Sequence, residues 1–472
     1  MAPPSGTHQG HDNHANSYHF PSSDLLDALT EADALQITAD DLIEVQETIV
    51  NRLASLGVDV IPGDITCGCN VTRYEFFPAA GVSMEKIRRH KSDIAMVLRT
   101  DQFIFLIPVP GKDSMGIEIP NKQSQKVTLR ELIESDEWRQ TDAKIPLLLG
   151  RNIESQPIIA DLDQLPHLLI AGNIGSGKSV CLHAIIACLL YRFTPWQLRM
   201  VLIDPDVLDL QVYNTLPHLT FPVITDSKRA LLALQLVLKE IERRHNLLAQ
   251  IKAGAIADTE PFPMMVVILT ELSPLLFDNA DAFEQTISLI IKTGHIVAVH
   301  LIAATRVLHP GVIRPIFKLN IPSRIAFQVL KEKDSLLLLD EYGAERLQGQ
   351  GDMLYRAPNS TALYRIQGAY ISDDEIHRLV AFVSSQAPPD FVAPAQDSES
   401  EEVSEEEEEI VQQCIGIMKE ERKASTSLFQ RRLRLGYTRA AHIINILEQR
   451  GYVGPGDGTA PRKILVDLDN LI

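Results

Sequence analysis

Five short apolar runs mark the middle of this chain without polar alternation: Leu168–Ala171, Met200–Ile203, Met265–Leu269, His300–Ala304 and Ile325–Val329. A run of that length with no alternation reads as a strand buried on both faces. Amphipathic stretches at helical spacing separate the runs, notably Ser227 to Lys252. Alternating β and α of this kind predicts a parallel sheet covered by helices on both sides, over 147–384. Upstream, Tyr74–Phe77, Phe103–Val109 and Gly116–Ile119 read as strands. Asp40–Leu56 (capped by Asp40 or Asp41), Ser83–Leu98 and Val127–Glu134 read as helices, so 40–146 is expected to be a small α/β domain. Residues 1–39 open rich in Pro, Ser, His and Asn and read as a disordered tail. Downstream, 385–409 reads as a Pro-rich, then acidic linker. Helices over Glu408–Glu421, Thr426–Arg434 and Arg439–Gln449, then a Gly-rich hairpin over Gly451–Leu468, make 410–472 a helix-turn-helix with a wing.

Directly behind the first buried run stands Gly172-Asn173-Ile174-Gly175-Ser176-Gly177-Lys178-Ser179, followed by Val180 and a helical run to Tyr191. This is G-x-x-x-x-G-K-S in a strand–loop–helix context. Glycines let backbone N–H groups curl around a triphosphate, Lys178 brings a mobile cation to the β/γ oxygens, and Ser179 offers a hydroxyl to Mg²⁺. The helix that follows points its positive end at the same phosphates. ATP and Mg²⁺ are therefore the expected cofactors.

The chain has 472 residues, 45% hydrophobic and 22% charged, which suits about three globular domains. Its five cysteines are scattered, and the Cys67-Gly-Cys69 pair is too tight for zinc, so free thiols are expected. No long apolar stretch reads as a spanning helix and the first residues do not read as a signal peptide, so a cytoplasmic protein is expected. His8, His11, His14 and His19 read as solvated tail histidines. The net charge of −18 argues against nucleic-acid binding, but it is unevenly spread. Asp397 to Glu409 holds nine acids and no base, while Ile410 to Ile472 holds ten Lys/Arg against six Asp/Glu. The acidic block reads as a solvated tether, with a DNA mimic as the alternative. The basic module reads as DNA-binding, with a protein-docking face as the alternative. Arg431, Arg432, Arg434, Arg439 and His442 are the candidate DNA contacts, the last two opening the recognition helix.

Several segments resemble the FtsK/SpoIIIE family of DNA translocases. They include Leu165-Pro166-His167-Leu168-Leu169-Ile170-Ala171-Gly172, Ile203-Asp204-Pro205, Glu240-Ile241-Glu242-Arg243-Arg244, and Asn320-Ile321-Pro322-Ser323-Arg324-Ile325-Ala326-Phe327. Gly349-Gln350-Gly351-Asp352-Met353-Leu354-Tyr355 and Arg434-Leu435-Gly436-Tyr437-Thr438-Arg439 continue the likeness. The resemblance implies a RecA-like P-loop NTPase motor of α/β class, with a small preceding α/β domain and a C-terminal winged-helix domain. It further implies an ATP-dependent motor on double-stranded DNA in chromosome segregation, a hexameric homo-oligomer, and a site-specific recombinase as possible partner of the terminal module. It gives Glu271 as the base and Arg324 as a contact across a subunit interface.

The departures from that family cluster at the chemistry. The metal-binding aspartate position is Thr270, a hydroxyl that could hold a metal-bound water but carries no charge. I-D-P-K reads Ile203-Asp204-Pro205-Asp206. A-T-Q-R-P reads Ala304-Thr305-Arg306-Val307-Leu308, so Arg306 becomes a candidate sensing cation. D-S-R reads Asp334-Ser335-Leu336. Glu271, Arg306 and Arg324 are the candidate catalytic residues, and Ser179 and Thr270 the candidate metal ligands. Two rival readings follow. One is an ATP-binding, hydrolysis-impaired subunit for assembly or DNA binding. The other is an ATPase that pumps protein or conjugative DNA through a membrane complex, against which the winged helix speaks.

Overall fold

The computed structural model describes residues 18–29, 37–100, 102–109, 112–206, 209–252, 262–278, 280–358, 360, 362–392, 405–433, 443–444, 446–447, 452–454, 462 and 464–465. They fall into two compact units, Met1–Val392 and Ala393–Ile472.

The first unit opens with α1 (Ala39–Ser55), then β1 (Val60–Cys67), β2 (Val71–Pro78), α2 (Met84–Arg89), α3 (Lys91–Leu98), β3 (Ile104–Leu106) and β4 (Met115–Pro120). Thr38 caps α1, and Asp41 is the acid that completes its capping box rather than the cap itself. The single helix expected over Ser83–Leu98 breaks at His90, which ends α2 and caps α3. The four strands form an antiparallel sheet in the order β1-β2-β4-β3. Strand β1 escaped the sequence pattern because Pro62-Gly63 sits in it and its register slips between Pro62 and Ile65, which hides the alternation. Ile49, Leu53, Phe76, Ile87, Ile94, Phe103 and Ile117 close the core of this layer.

The remaining elements of this unit are β5 (Val127–Thr128), α4 (Leu129–Ile133), α5 (Asp136–Gln140), β6 (Pro146–Asn152), β7 (Pro157–Asp161), β8 (His167–Ala171), α6 (Lys178–Arg192), β9 (Leu198–Ile203), α7 (Ser227–Lys252), β10 (Met264–Leu269), α8 (Ser273–Asp278), α9 (Ala280–Thr293), β11 (Val299–Thr305), α10 (Pro315–Asn320), β12 (Ser323–Phe327), α11 (Glu332–Leu339), β13 (Asp352–Arg356), β14 (Leu363–Tyr370) and α12 (Asp373–Ser384). The main sheet runs β7-β6-β14-β13-β12-β8-β11-β10-β9. The five apolar runs are its parallel half: β9, β10, β11, β8 and β12. The other half is antiparallel, so the sheet is mixed rather than parallel throughout.

Alternate side chains of the parallel strands feed two separate cores. Leu168, Ile170, Met200, Leu202, Val266 and Ile268 pack on the face carrying α6 and α12. Leu169, Ala171, Val201, Ile203, Val267 and Leu269 pack on the face carrying α7 and α9. Two buried faces per strand are what the absence of alternation meant.

Residues 18–29 correct the expectation of disorder across 1–39. Leu26 is 1% exposed inside the larger core. Arg130 donates to the Leu26 carbonyl, Arg378 to that of Leu25, Tyr191 to that of Ser22, and Gln386 exchanges two bonds with the His19 backbone. Remote side chains hold most of this backbone, and of its own side chains Leu26 enters the core while Asp24 and Asp27 pair with Arg130 and Arg378, which leaves little local pattern to read.

In the second unit α13 (Glu405–Glu421) and α14 (Thr426–Leu433) enclose Val411, Cys414, Met418, Phe429, Ile443, Leu447 and Val453. Helix α13 begins inside the acidic block, three residues before the expected start, since glutamate is a good helix former. Val453 pairs Ile464 and Ala424 pairs Arg462, both antiparallel. Arg431 and Arg432 lie in the last turn of α14. Arg434, Arg439 and His442 lie outside the described residues. Among the described residues no helix is long and apolar enough to cross a membrane.

Candidate nucleotide site

The loop 172–177 leaves the carboxyl end of β8, which lies between β12 and β11 in the parallel half, and turns into α6. Its backbone is pinned from both sides. Gly172 N–H donates to the Thr305 carbonyl on β11 at 3.3 Å, and Asn173 N–H to the Gln328 carbonyl beyond β12 at 3.0 Å. Gly351 N–H donates to the Ser176 carbonyl at 2.9 Å, and Ser176 Oγ closes the loop on the Asn173 carbonyl. Gly177 sits at φ 111°, and a Cβ there would stand 2.5 Å from Gly351 N. Only glycine fits that angle and that approach. The G-Q-G segment 349–351, seen in the sequence only as a family likeness, thus serves as the rear wall of the phosphate loop.

A cavity of about 680 Å³ opens in front of the loop. Asn173 to Gly175 and Gly177 to Cys181 line one side; Asp204, Asp206, Asp209, Thr270 and Arg306 line the side facing it. Lys178 Nζ donates to the Thr270 carbonyl at 3.1 Å, a neutral acceptor that a phosphate oxygen would outcompete. Ser179 Oγ donates to Asp209 Oδ2 at 2.7 Å. Hydroxyl and carboxylate oxygens on a phosphate loop are the donor set that suits Mg²⁺, so the residues present fit a Mg–nucleotide. Cys181 also borders the cavity, but burial pushes its thiol up to about 12, which leaves it a neutral, inert side chain.

The facing wall is built from the ends of β9, β10 and β11. Thr270 follows β10, and its hydroxyl donates to Asp204 Oδ1 at 2.8 Å. Glu271 is 1% exposed. Its Oε1 accepts from Thr305 Oγ1 at 2.5 Å and from the N–H and Oγ of Ser273 at 3.1 and 3.0 Å. Its Oε2 accepts from Arg306 N–H at 2.8 Å, with Arg306 Nε 3.8 Å away. Arg306 reaches on to Asp206, Nη1 to Oδ2 at 2.8 Å. The two charge changes noticed separately in the sequence are therefore one ion pair.

Arg324 is placed differently from the sequence reading. It is 7% exposed, and its guanidinium bonds the carbonyls of Lys318, Ile321 and Leu338 and the carboxylate of Asp340. A cation committed to four intramolecular acceptors tethers α10, α11 and β12 and is not free for a neighbouring subunit. Asp209 was the residue sequence reasoning missed. Its only signal was its place five positions after Asp204, in a loop with no motif of its own.

A phosphate loop on a central parallel strand, with a buried glutamate and a cation at the facing strand ends, defines a P-loop nucleotide-binding domain. Residues 128–260 match the FtsK/SpoIIIE family, 20–121 the FtsK alpha domain and 405–467 the FtsK gamma domain. The chain belongs to the FtsK/SpoIIIE family. It is 36% identical over 469 residues to the DNA translocase FtsK of Clostridium acetobutylicum, covering 96% of this chain and 61% of that protein. It is 37% identical over 468 residues to the DNA translocase SpoIIIE of Bacillus subtilis, covering 96% and 59%. The chain thus spans about 60% of the length of these relatives. Among solved structures, the conjugation coupling protein TcpA of pCW3, in its monomer form with ATPγS, is similar with a TM-score of 0.48 and 17% identity, over 72% of this chain and 99% of that one.

Proposed function

We propose that this chain binds ATP with Mg²⁺ in the cavity before Gly172–Ser179 and spends its hydrolysis on moving along double-stranded DNA. The observation that carries this reading is the intact, doubly anchored phosphate loop in a chain that belongs to a family of DNA translocases. Loop amides and Lys178 neutralise the phosphates. Glu271, oriented by Thr305, Ser273 and the Arg306 amide, positions the attacking water. Arg306 stands at the cavity to meet charge developing on the transferred phosphoryl group. The bound metal would supply further charge neutralisation. The second unit supplies the duplex contacts through its arginines, with Arg431 and Arg432 at the end of α14. A homo-hexameric ring, cytoplasmic action in chromosome segregation and a recombinase partner belong to the same proposal and rest on the family alone.

The test is phosphate release with and without duplex DNA, alongside displacement of a roadblock bound to the duplex. We expect DNA-stimulated turnover and displacement in the native chain, and a loss of about 10²-fold or more in Lys178→Ala. Native turnover no higher than that of Lys178→Ala, with ATP still bound, would replace the translocase by the hydrolysis-impaired DNA-binding subunit that Thr270 brings to mind.

A further inference from the structure

The loss of the aspartate after β10 leaves the phosphate loop without its expected carboxylate, yet Ser179 is not without one. Three aspartates line the cavity: Asp204, Asp206 and Asp209. Two are already committed. Asp204 is 1% exposed; its Oδ1 accepts from the Thr270 hydroxyl and its Oδ2 from the N–H groups of Asp209 and Leu210, each at 3.0 Å. Asp206 is held by Arg306. Asp209 is the carboxylate that meets the loop, with Oδ2 against Ser179 Oγ at 2.7 Å.

The geometry points to Asp209 as the protein carboxylate for the nucleotide's divalent cation, delivered from the loop after β9 in place of the aspartate absent from position 270. This rests on the ATP-binding reading above. Thr270 acquires a role that its position alone did not suggest. It supplies no ligand; its hydroxyl locks Asp204, and Asp204 in turn clamps the two backbone amides that set where Asp209 points. Two bonds therefore run from the end of β10 through Asp204 to the Asp209 backbone, and a third joins the Asp209 side chain to Ser179. Mg²⁺ on a nucleotide is held by phosphate oxygens, waters and one or two protein oxygens, and one hydroxyl with one carboxylate is enough. Thr270 and Asp204 are positioning residues in this arrangement, and Asp209 touches the cation.

The experiment measures the affinity of the whole chain for a fluorescent, non-hydrolysable ATP analogue in EDTA and in Mg²⁺, and the electron paramagnetic resonance of Mn²⁺ added with that analogue. We expect the native chain to bind the analogue tighter in Mg²⁺ than in EDTA. Asp209→Asn should lose about 10- to 100-fold in cation affinity, and with it most of the Mg²⁺ gain. Its affinity in EDTA should equal or exceed the native value, because one negative charge facing the phosphates is gone. A variant that merely failed to fold would lose binding in EDTA as well, and Asp209→Glu, which keeps the carboxylate, should recover part of the Mg²⁺ gain. Full Mg²⁺ gain and an unchanged Mn²⁺ signal in Asp209→Asn would overturn the assignment while leaving ATP binding intact. No affinity in the native chain under either condition would overturn the ATP-binding reading itself, and this assignment with it.

Discussion

The two walls of the nucleotide cavity make opposite use of their residues. The loop wall, 172–179, keeps every position its chemistry demands, and its neighbours hold it by backbone bonds and by contacts that exclude any side chain at Gly177. The facing wall, at the ends of β9, β10 and β11, has exchanged Asp for Thr, Lys for Asp and Gln for Arg against the family pattern. Its charges remain paired nonetheless: Asp206 with Arg306, Asp204 with a hydroxyl and two amides. The loop works largely through main-chain geometry, which fixes glycine at 177. The facing wall works through side-chain charge, which can be moved from one strand end to the next provided the partners move together.

Glu271 gives the widest separation between the walls. Glu271→Gln keeps the size of the side chain and removes a carboxylate oxygen that accepts either from Ser273 and Thr305 or from Arg306 N–H. The loop is untouched, so nucleotide affinity should stay within about twofold, while DNA-stimulated turnover falls by about 10²- to 10⁴-fold. Equal losses in affinity and turnover would show that Glu271 holds the wall together rather than acting on water.

The strand that delivers the loop carries its own sensitivity to acid. His167, the first residue of β8, accepts the Leu301 N–H on Nδ1 and sits with Nε2 on the Ile291 carbonyl, so it is the neutral Nε2–H form. Burial pushes its pKa down to about 3, and that of His218 down to about 4. Both folded values lie below the unfolded value near 6.5, so the stability is present above pH 6.5 and lost as pH falls from there towards the folded values. Each histidine costs about 1.4 kcal/mol per pH unit in that window. Melting temperature should therefore drop between pH 6.5 and 5.5, before most carboxylates titrate, and a flat profile there would remove the two histidines from the account.

Arg324, near the start of β12 and outside both walls, tests whether a buried cation of the first unit reaches beyond its own subunit. Its partners are all intramolecular, and Asp340 is half exposed, which weakens that pair by solvent screening. Arg324→Ala should destabilise the first unit by about 2 kcal/mol, chiefly by orphaning the buried carbonyls of Ile321 and Leu338. Thermal melting of the nucleotide-free protein reads this directly. An unchanged melt accompanied by lost turnover would return Arg324 to a contact across an interface.

What could be read from the sequence divides along the same physical line. The parallel strands were legible because burial on both faces leaves an unbroken apolar run, and the loop because phosphate binding fixes a spacing of eight adjacent residues. The antiparallel half of the sheet was not, since β6, β13 and β14 look alike whether their neighbours run up or down. Residues 18–29 were illegible because their partners, Arg130, Tyr191, Arg378 and Gln386, stand far away in sequence and bond mostly backbone, adding only the carboxylates of Asp24 and Asp27. Asp209 was illegible for the same reason: it meets Ser179 across 30 positions, and nothing local marks it. The ion pair between Asp206 and Arg306 was half legible, as two anomalies whose common cause was their contact.

That pair offers the smallest effect and the sharpest comparison. Arg306 keeps 39% of its side chain exposed, so its bond to Asp206 should contribute less than about 1 kcal/mol to stability. Its placement matters more, because Arg306 lies between the cavity and the buried Glu271. Arg306→Gln alone leaves Asp206 unpaired before the phosphates, and nucleotide affinity should fall within about tenfold. Asp206→Lys alone sets two cations together and should lower stability. The double variant Asp206→Lys/Arg306→Gln restores the arrangement of the family, with the cation on β9 instead of β11. If the two substitutions are one exchange, the double variant should recover most of the affinity and the stability, and a double-mutant cycle should give a coupling of about 0.5–1 kcal/mol. Strict additivity would mean that the facing wall drifted residue by residue, with no partner following another.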